Sequence, residues 1–276
     1  MKRIADAEVE KHAEEARRML ERCTLCPRDC RVDRTRGEKG FCGLGDSAHC
    51  FREALYYHEE SELIPSHMLF LTGCNLRCEF CLVNEWNEAP LEVAEMDLPK
   101  TRARILERLR AGARTLNFLG GEPSVSLCAL LELIAPIRSK LRVVWNSNMY
   151  FSEECGRLLD GVVDVYLADF KCGSAKCAKE LLGVDDYLET VRRNLLFAKG
   201  SADLIVRHLV LPGHAECCRE PVLRWLKENI PQVKLSLRGE YMPPPEARNA
   251  PAEFLRDLEF KAAFDRARAL DLRMIQ

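Results

Sequence analysis

Three cysteines with the spacing of an iron–sulfur cluster are the residues of this chain best suited to catalysis. Cys74, Cys78 and Cys81 form the pattern Cys-x3-Cys-x2-Cys, and the aromatic Phe80 directly precedes the third cysteine. A cubane cluster held by four thiolates is normally an electron carrier, whereas a cluster held by three leaves one iron open to a substrate or cofactor. The spacing therefore predicts a catalytic cluster. A zinc knuckle and three buried free thiols are the alternatives.

A second group of cysteines lies nearer the N-terminus, after a charged amphipathic helix predicted over residues 7–22. Its members, at x2, x3 and x11 spacing, are Cys23, Cys26, Cys30 and Cys42. Four thiolates at these intervals could hold zinc tetrahedrally or an auxiliary iron–sulfur cluster, and the sequence leaves both open. A closed shell of four thiolates is structural or relays electrons, so this group predicts a second metal site without an open position.

The number of cysteines, fourteen, also points to metal. Disulfides are rare in reducing compartments, so metal binding is the first explanation for so many thiols in a chain of this kind. The remaining cysteines have no ligand spacing, and we interpret them as small buried apolar residues. They are Cys128, Cys155, Cys172, Cys177, Cys217 and Cys218, while Cys50 trails the N-terminal group.

Composition and charge favour a cytoplasmic enzyme. The chain has 276 residues, 47% of them hydrophobic, and a net charge of −2, which gives no reason to expect a nucleic-acid partner. No apolar run approaches the roughly 20 residues of a membrane span. The first residues lack the apolar core of a secretion signal. We therefore expect no membrane and no nucleic acid among its partners.

The elements around the cysteines alternate between strand and helix patterns, which is typical of a parallel sheet with crossover helices. The β-rich runs are Met68–Thr72, Thr115–Leu119, Leu141–Asn146, Val162–Asp169, Leu204–Leu211 and Val233–Leu237. The helical stretches are Thr101–Ala111, Val125–Ser139, Ser152–Leu159, Asp186–Lys199 and Pro221–Asn229. We predict an α/β fold, a partial (β/α)6 barrel over residues 61–276, preceded by a small cysteine-rich metal-binding segment over residues 1–60. In such barrels the reactive site lies at the C-terminal ends of the strands.

A glycine pair follows the second predicted strand directly. In the run Gly120-Gly121-Glu122-Pro123, two residues without Cβ allow the backbone to approach a ligand closely, and a carboxylate comes next. An ordinary strand-to-helix turn is the alternative.

Together, the cysteine pattern and this run resemble the signature of the radical S-adenosylmethionine (SAM) superfamily. In that family the open iron of a [4Fe–4S] cluster chelates the amino and carboxylate groups of SAM. The reduced cluster then cleaves the sulfonium to a 5′-deoxyadenosyl radical. The resemblance implies that Cys74, Cys78 and Cys81 bind the cluster. It also implies that Gly120, Gly121 and Glu122 engage the amino group of SAM.

Four strand-end runs resemble more narrowly the pyruvate formate-lyase activating enzyme and its uncharacterised relatives. They begin at Asn117, Val144, Tyr166 and Val206, and they agree with that branch in order and spacing over residues 20–240.

This narrower resemblance implies roles for several strand-end side chains. Asn146, Ser147 and Asn148 would meet the SAM ribose, while Asp169 and Lys171 would face the same pocket. A simple surface ion pair is the alternative for Asp169 and Lys171. His208 and His214 flank the end of the fifth strand, and we take His208 as a catalytic candidate beside a structural alternative. The upstream cysteine pattern is also similar to that of relatives, which supports a metal site there.

The predicted activity is that of a radical SAM oxidoreductase of the activating-enzyme type. Its radical would abstract a hydrogen atom from a small molecule or a side chain held within the barrel; the alternative is a glycyl-radical enzyme activase that acts on a protein partner. An open trough would favour a protein and a closed cavity a small substrate. An external donor such as flavodoxin or ferredoxin would supply the electron. Glu59-Glu60 and the basic stretch over residues 102–110 are expected to be solvated, although the basic stretch could dock an acidic donor.

Overall fold

One open sheet of eight strands forms the centre of the protein in a computed structural model, which describes residues 3–275. The strands neighbour one another in chain order. They are β1 (Cys50–Tyr56), β2 (Ser66–Leu71), β3 (Thr115–Gly120), β4 (Val143–Ser147), β5 (Val165–Asp169), β6 (Asp203–Leu209), β7 (Lys234–Arg238) and β8 (Arg273–Met274). Strand β1 is antiparallel to β2, and every later pairing is parallel. All strands from β2 onward therefore end at the same edge of the sheet.

Helices connect the parallel strands and cover one face of the sheet. They are α1 (Asp6–Leu20), α2 (Asn84–Glu88), α3 (Leu98–Arg110), α4 (Leu127–Ile134), α5 (Glu153–Leu159), α6 (Ala175–Leu182), α7 (Tyr187–Ser201), α8 (Glu220–Asn229) and α9 (Asp257–Ala269). Short polar side chains cap several of them: Asp97, Ser152 and Ser174 accept hydrogen bonds from the first turns of α3, α5 and α6. Within residues 3–275, no helix is long and apolar enough to cross a membrane.

The predicted α/β partial barrel is confirmed, and each of the six predicted β-rich runs overlaps one of the strands β2 to β7. The sequence did not indicate the two edge strands. Strand β1 is only partly buried along its length, so it lacks a clear apolar alternation, and β8 has two residues.

Alternate residues of each strand point to opposite faces, and the two faces are chemically different. Val143, Trp145, Tyr166 and Val206 belong to the large apolar core beneath the helices. The opposite side, here called the inner face, is apolar only at its base. The residues that form this base are Leu63, Val144, Val165, Leu167 and Ile205. The next residues along β4, β5 and β6 on the inner face are Asn146, Asp169 and Arg207.

The N-terminal segment packs against this framework. Helix α1 contributes Val9, Ala13, Ala16 and Leu20 to the large core. The loops that carry the first cysteine group follow α1 and lead into β1. Whether residues 1–60 form a unit separate from residues 61–276 stays a prediction.

Candidate functional site

The cysteine loop after β2 lies against the glycine pair that ends β3. Gly120 adopts a φ of +105°, and a Cβ on Gly121 would lie 2.0 Å from the carbonyl oxygen of Gly73. Two backbone hydrogen bonds fix the contact, from Gly121 N to Leu71 O at 2.7 Å and from Glu122 N to Gly73 O at 2.9 Å. Only glycine fits both positions, so the pair is required to hold the cysteine loop on the sheet.

Two of the three cysteines of that loop, Cys74 and Cys81, receive N–H donors aimed at sulfur. Leu76 N lies 3.4 Å from the sulfur of Cys74. Asn148 Nδ2 lies 3.6 Å from the same sulfur, and Asn87 Nδ2 lies 3.6 Å from that of Cys81. Such donors stabilise negative charge on cluster sulfurs, so this donor set suits thiolate ligands.

The pKa values of these thiols are set mainly by their burial. Burial raises the pKa of the Cys78 thiol to about 12, and neighbouring Cys81 adds to the rise while Lys171 opposes it. Burial raises the pKa of Cys74 too, with contributions from Cys78, Glu122 and Cys81. Bound iron supplies the positive charge that deprotonates such buried thiols. The residues present therefore fit a three-thiolate cluster.

Glu122 is completely buried and joins the ends of β3 and β4. Its carboxylate accepts hydrogen bonds from Ser124 N at 3.0 Å, Ser147 Oγ at 2.8 Å and Asn148 N at 2.8 Å. Burial raises the pKa of Glu122, and these hydrogen bonds oppose the rise. The carboxylate therefore holds the ends of β3 and β4 together. A direct contact between Glu122 and SAM stays a prediction.

The three polar residues at the end of β4 have different surroundings. Ser147 and Asn148 are buried and bonded to the chain, whereas Asn146 is half-buried on the inner face, where a ligand can reach it. Asn148 accepts from Tyr150 N at 2.8 Å and donates to Asn75 Oδ1 at 2.8 Å. Of the three, Asn146 has the side chain best placed to meet a ribose.

Asp169 and Lys171 form an ion pair at the end of β5, with Nζ 2.5 Å from Oδ2. The Lys171 side chain is 20% exposed, so the pair is not a simple surface contact. Burial alone would lower the pKa of Lys171, but Asp169 and then the thiols of Cys78 and Cys81 outweigh burial and raise it. Lys171 therefore places a permanent positive charge beside the cysteine loop.

The two histidines lie on the helix side of the sheet end. His208 follows Val206 on the face covered by helices and is buried, with Nδ1 2.7 Å from the carbonyl oxygen of Phe170. Burial lowers the pKa of His208, so it is neutral at pH 7. His208 therefore contacts the end of β5 and does not lie on the inner face. Its catalytic role stays a prediction. His214 lies among cysteines, as described below.

Sequence reasoning missed the polar character of the inner face. Glu60 is fully buried, not solvated, and the guanidinium of Arg207 binds it at 2.6 and 2.7 Å and also binds Glu59. Asn117 is buried on the same face, and within residues 3–275 neither atom of its side-chain amide has a hydrogen-bond partner. A buried amide without partners is uncommon and is suited to a polar ligand. The sequence did not indicate a functional role for Asn117, because a single Asn within the apolar run of a buried strand is not distinguished from the core residues around it.

The N-terminal cysteines converge next to the first group. Cys23, Cys26, Cys30 and Cys42 line one enclosed cavity of about 10 Å³, which Asn75 also lines. Phe41 N lies 3.4 Å from the sulfur of Cys30. Asn75 lines this cavity together with Cys26, and its Oδ1 is 4.0 Å from the sulfur of Cys74. One side chain therefore separates the two cysteine groups.

An open cleft of about 730 Å³ leads to the cysteine loop. Cys78 and Cys81 line it on one side, and the loop around Pro244 and Pro245 lines the other. Glu79 ties the two sides together, because its carboxylate accepts hydrogen bonds from three successive backbone amides, Arg248 N, Asn249 N and Ala250 N, at 3.1, 2.8 and 2.9 Å. The loop with Pro244 and Pro245 thus lies at the rim of this cleft.

Comparison with known proteins gives a consistent result. A family model described as the radical SAM superfamily matches residues 68–226, which include the cysteine loop and the ends of β2 to β6. The chain is also 35% identical over 243 residues to the uncharacterized protein MJ0674 of Methanocaldococcus jannaschii, covering 86% of this chain and 70% of that protein.

Solved structures show the same fold at low sequence identity. The structure of SuiB of Streptococcus suis bound to precursor peptide SuiA has a TM-score of 0.54 to this chain at 17% identity. The match covers 73% of this chain and 46% of SuiB, so this chain spans less than half the length of SuiB. A radical SAM methyltransferase of Sphaerobacter thermophilus has a TM-score of 0.54 at 12% identity, with 98% of this chain and 92% of the methyltransferase covered.

Proposed function

The chain belongs to the radical SAM superfamily, and we propose that Cys74, Cys78 and Cys81 hold the [4Fe–4S] cluster that this family uses with SAM. When bound and reduced by an external donor, the cluster would supply the electron for cleavage of SAM into methionine and a 5′-deoxyadenosyl radical, which would take a hydrogen atom from the substrate. The three cysteines fix the cluster, and the N–H donors around them stabilise its negative charge. The single observation that carries this proposal is the set of sulfur-directed donors around three converging thiols.

We propose that the SAM site spans the ends of β3, β4 and β5. Gly120 and Gly121 hold the cysteine loop against the end of β3, and Glu122 holds the β4 end in place. Asn146 is accessible on the inner face. Lys171 offers a cation for an anionic group. These residues bind and orient the cofactor; Asp169 keeps the ammonium of Lys171 directed at the site.

For the substrate, we propose a segment of a peptide or protein. The cleft of about 730 Å³ is open along the cysteine loop, which gives an extended chain access to the cluster. Leu82 and Met242 are exposed next to the lining residues Cys81 and Pro244, so the rim offers apolar contacts for such a chain. A precursor peptide is also what SuiB binds, although that likeness supports only the fold.

A small polar substrate is the second candidate. The unpartnered amide of Asn117 and the Glu60–Arg207 pair favour it, since both lie on the inner face and both suit a polar ligand. One experiment separates the two: a deuterated cell extract is divided by ultrafiltration, and each fraction is given to the reduced enzyme with SAM. Deuterium in 5′-deoxyadenosine from the macromolecular fraction alone supports the polypeptide. Deuterium from the small-molecule fraction alone contradicts it.

We propose further that the N-terminal cysteines hold a metal centre, because four thiols line one small cavity. Its separation from Cys74 by Asn75 alone suits a relay cluster between an external donor, such as flavodoxin or ferredoxin, and the catalytic cluster. Zinc at the same position would serve as a structural ion.

A further inference from the structure

A third group of metal ligands lies at the rim of the sheet, on the helix side of β5 and β6. The Sγ atoms of Cys177, Cys217 and Cys218 and a ring nitrogen of His214 all lie within 4.8 Å of one another. Cys177 is in the first turn of α6, whereas the other three are in or beside the π-helical turn Ala215–Arg219 that precedes α8. The interpretation of these cysteines as apolar residues without ligand spacing did not predict this grouping. The fold, and not the sequence spacing, brings them together.

The spacing within this group fits a single tetrahedral ion. His214 Nδ1 lies 3.3 Å from the sulfur of Cys217, 3.6 Å from that of Cys177 and 4.0 Å from that of Cys218. Bond lengths of about 2.3 Å for Zn–S and 2.0–2.1 Å for Zn–N place tetrahedral ligand atoms roughly 3.5–3.8 Å apart. A four-iron cubane binds its thiolates through four different irons and needs wider spacing. Three thiolates and one imidazole are also a common structural zinc set.

We propose that Cys177, His214, Cys217 and Cys218 bind one zinc ion. Binding displaces the three thiol protons to solvent, and the resulting Zn²⁺ centre with three thiolates has a net charge of −1. Arg219 follows the last ligand, and its buried Nε has no hydrogen-bond partner among the described residues. A cation there offsets the negative charge of the centre, which accounts for a buried guanidinium nitrogen otherwise left unsatisfied.

The surroundings of the group are built for close packing. A Cβ on Gly173 would lie 2.3 Å from the carbonyl oxygen of Cys218, so glycine is required where the β5–α6 loop meets the π-helical turn.

The ion would tie together two loops that carry the rim of the catalytic site. The β5–α6 loop contains Lys171 and Gly173 and leads into the first turn of α6, which carries Cys177, while the π-helical turn follows the end of β6. With the ion bound, the two loops are cross-linked and the position of Lys171 is fixed. This role does not depend on the substrate, and it is structural, because four protein ligands leave no open position on zinc.

Metal analysis of the full chain tests the proposal. Wild-type protein is compared with Cys177→Ala/Cys217→Ala and with the control Cys128→Ala/Cys155→Ala, which removes two buried cysteines outside the group. We expect the first variant to lose about one zinc per chain with iron unchanged, and the control to lose neither. Equal zinc in all three proteins contradicts the site. Loss of iron instead of zinc replaces the proposed ion with a cluster and also overturns the proposal.

A second measurement on wild-type protein remains informative if the double variant does not fold. Cys217 is half-buried, so iodoacetamide can reach it when it is free. Mass spectrometry should find Cys217 protected in the zinc-bound protein and labelled several-fold more after a chelator has removed zinc, with His214→Ala labelled before chelation. Equal labelling of Cys217 with and without the chelator contradicts zinc ligation. Neither readout depends on SAM cleavage, so the site can fail while the proposed function stands.

Discussion

The side-chain amide of Asn148 lies 3.6 Å from the sulfur of Cys74 and donates to it, which connects the end of β4 to the cysteine loop after β2. The backbone N–H of Asn148 also donates a hydrogen bond to the carboxylate of Glu122, at 2.8 Å. Through these two contacts, three strand ends are held around one sulfur. The electrostatic properties of the cluster should therefore respond to residues at the ends of β3 and β4.

The first prediction concerns this N–H donor. Asn148→Leu removes a hydrogen bond to a cluster ligand, so negative charge on the cluster is less stabilised and the reduction potential should become more negative, by roughly 60 mV for a tenfold change in a one-electron equilibrium. Asn87→Leu should act in the same direction through Cys81. Asn194→Leu, which disturbs a buried Asn bonded only to backbone carbonyls and to Arg193, is the control. Equal potentials in an EPR-monitored redox titration would refute this role.

The charge beside the cysteine loop gives the second prediction. Lys171→Met removes a cation that favours the reduced, more negative cluster, so the potential should shift negatively by on the order of 60 mV. Asp169→Asn removes an anion from the same pair and should shift the potential in the opposite direction. Two shifts of the same sign would show that Lys171 and Asp169 act by packing and not by charge.

The third prediction concerns Glu122. Glu122→Gln replaces one buried carboxylate oxygen with an amide that faces N–H or O–H donors, so a charge-assisted hydrogen bond is lost at a cost of about 1.5–3 kcal/mol. SAM affinity should fall about tenfold or more while the cluster still assembles, because the β4 end is no longer held. Calorimetry with reconstituted protein measures the affinity, and exposed Glu154→Gln is the control. Unchanged SAM binding would remove Glu122 from the site.

The fourth prediction concerns the N-terminal cysteines. Replacing Cys23, Cys26, Cys30 and Cys42 by Ala should remove one metal centre and destabilise the loops between α1 and β1, because a short loop-rich segment has too little core to fold alone. The catalytic cluster should survive. Loss of about one zinc per chain would identify a structural ion, and loss of about four irons an auxiliary cluster. If neither element changes, the four cysteines are free thiols.

Local patterns predicted the framework well and the long-range groupings poorly. The strand ends at Gly120, Asn146 and Asp169 could be read from apolar runs that stop at polar residues. The zinc ligands could not be predicted this way, because Cys177 and His214 are 37 residues apart and meet only when the loops after β5 and β6 fold. Glu60 and Arg207 are likewise far apart in the chain, and a Glu-Glu pair alone indicates a solvated surface.

The central claim is that Cys74, Cys78 and Cys81 hold the cluster that cleaves SAM. The most direct test is anaerobic reconstitution with iron and sulfide, chemical reduction, and measurement of 5′-deoxyadenosine and methionine beside the cluster EPR signal. We expect wild-type protein to release both products and to show a signal that SAM perturbs, and the variant with all three cysteines replaced by Ala to show neither. Undiminished release of 5′-deoxyadenosine by that triple variant would contradict the account.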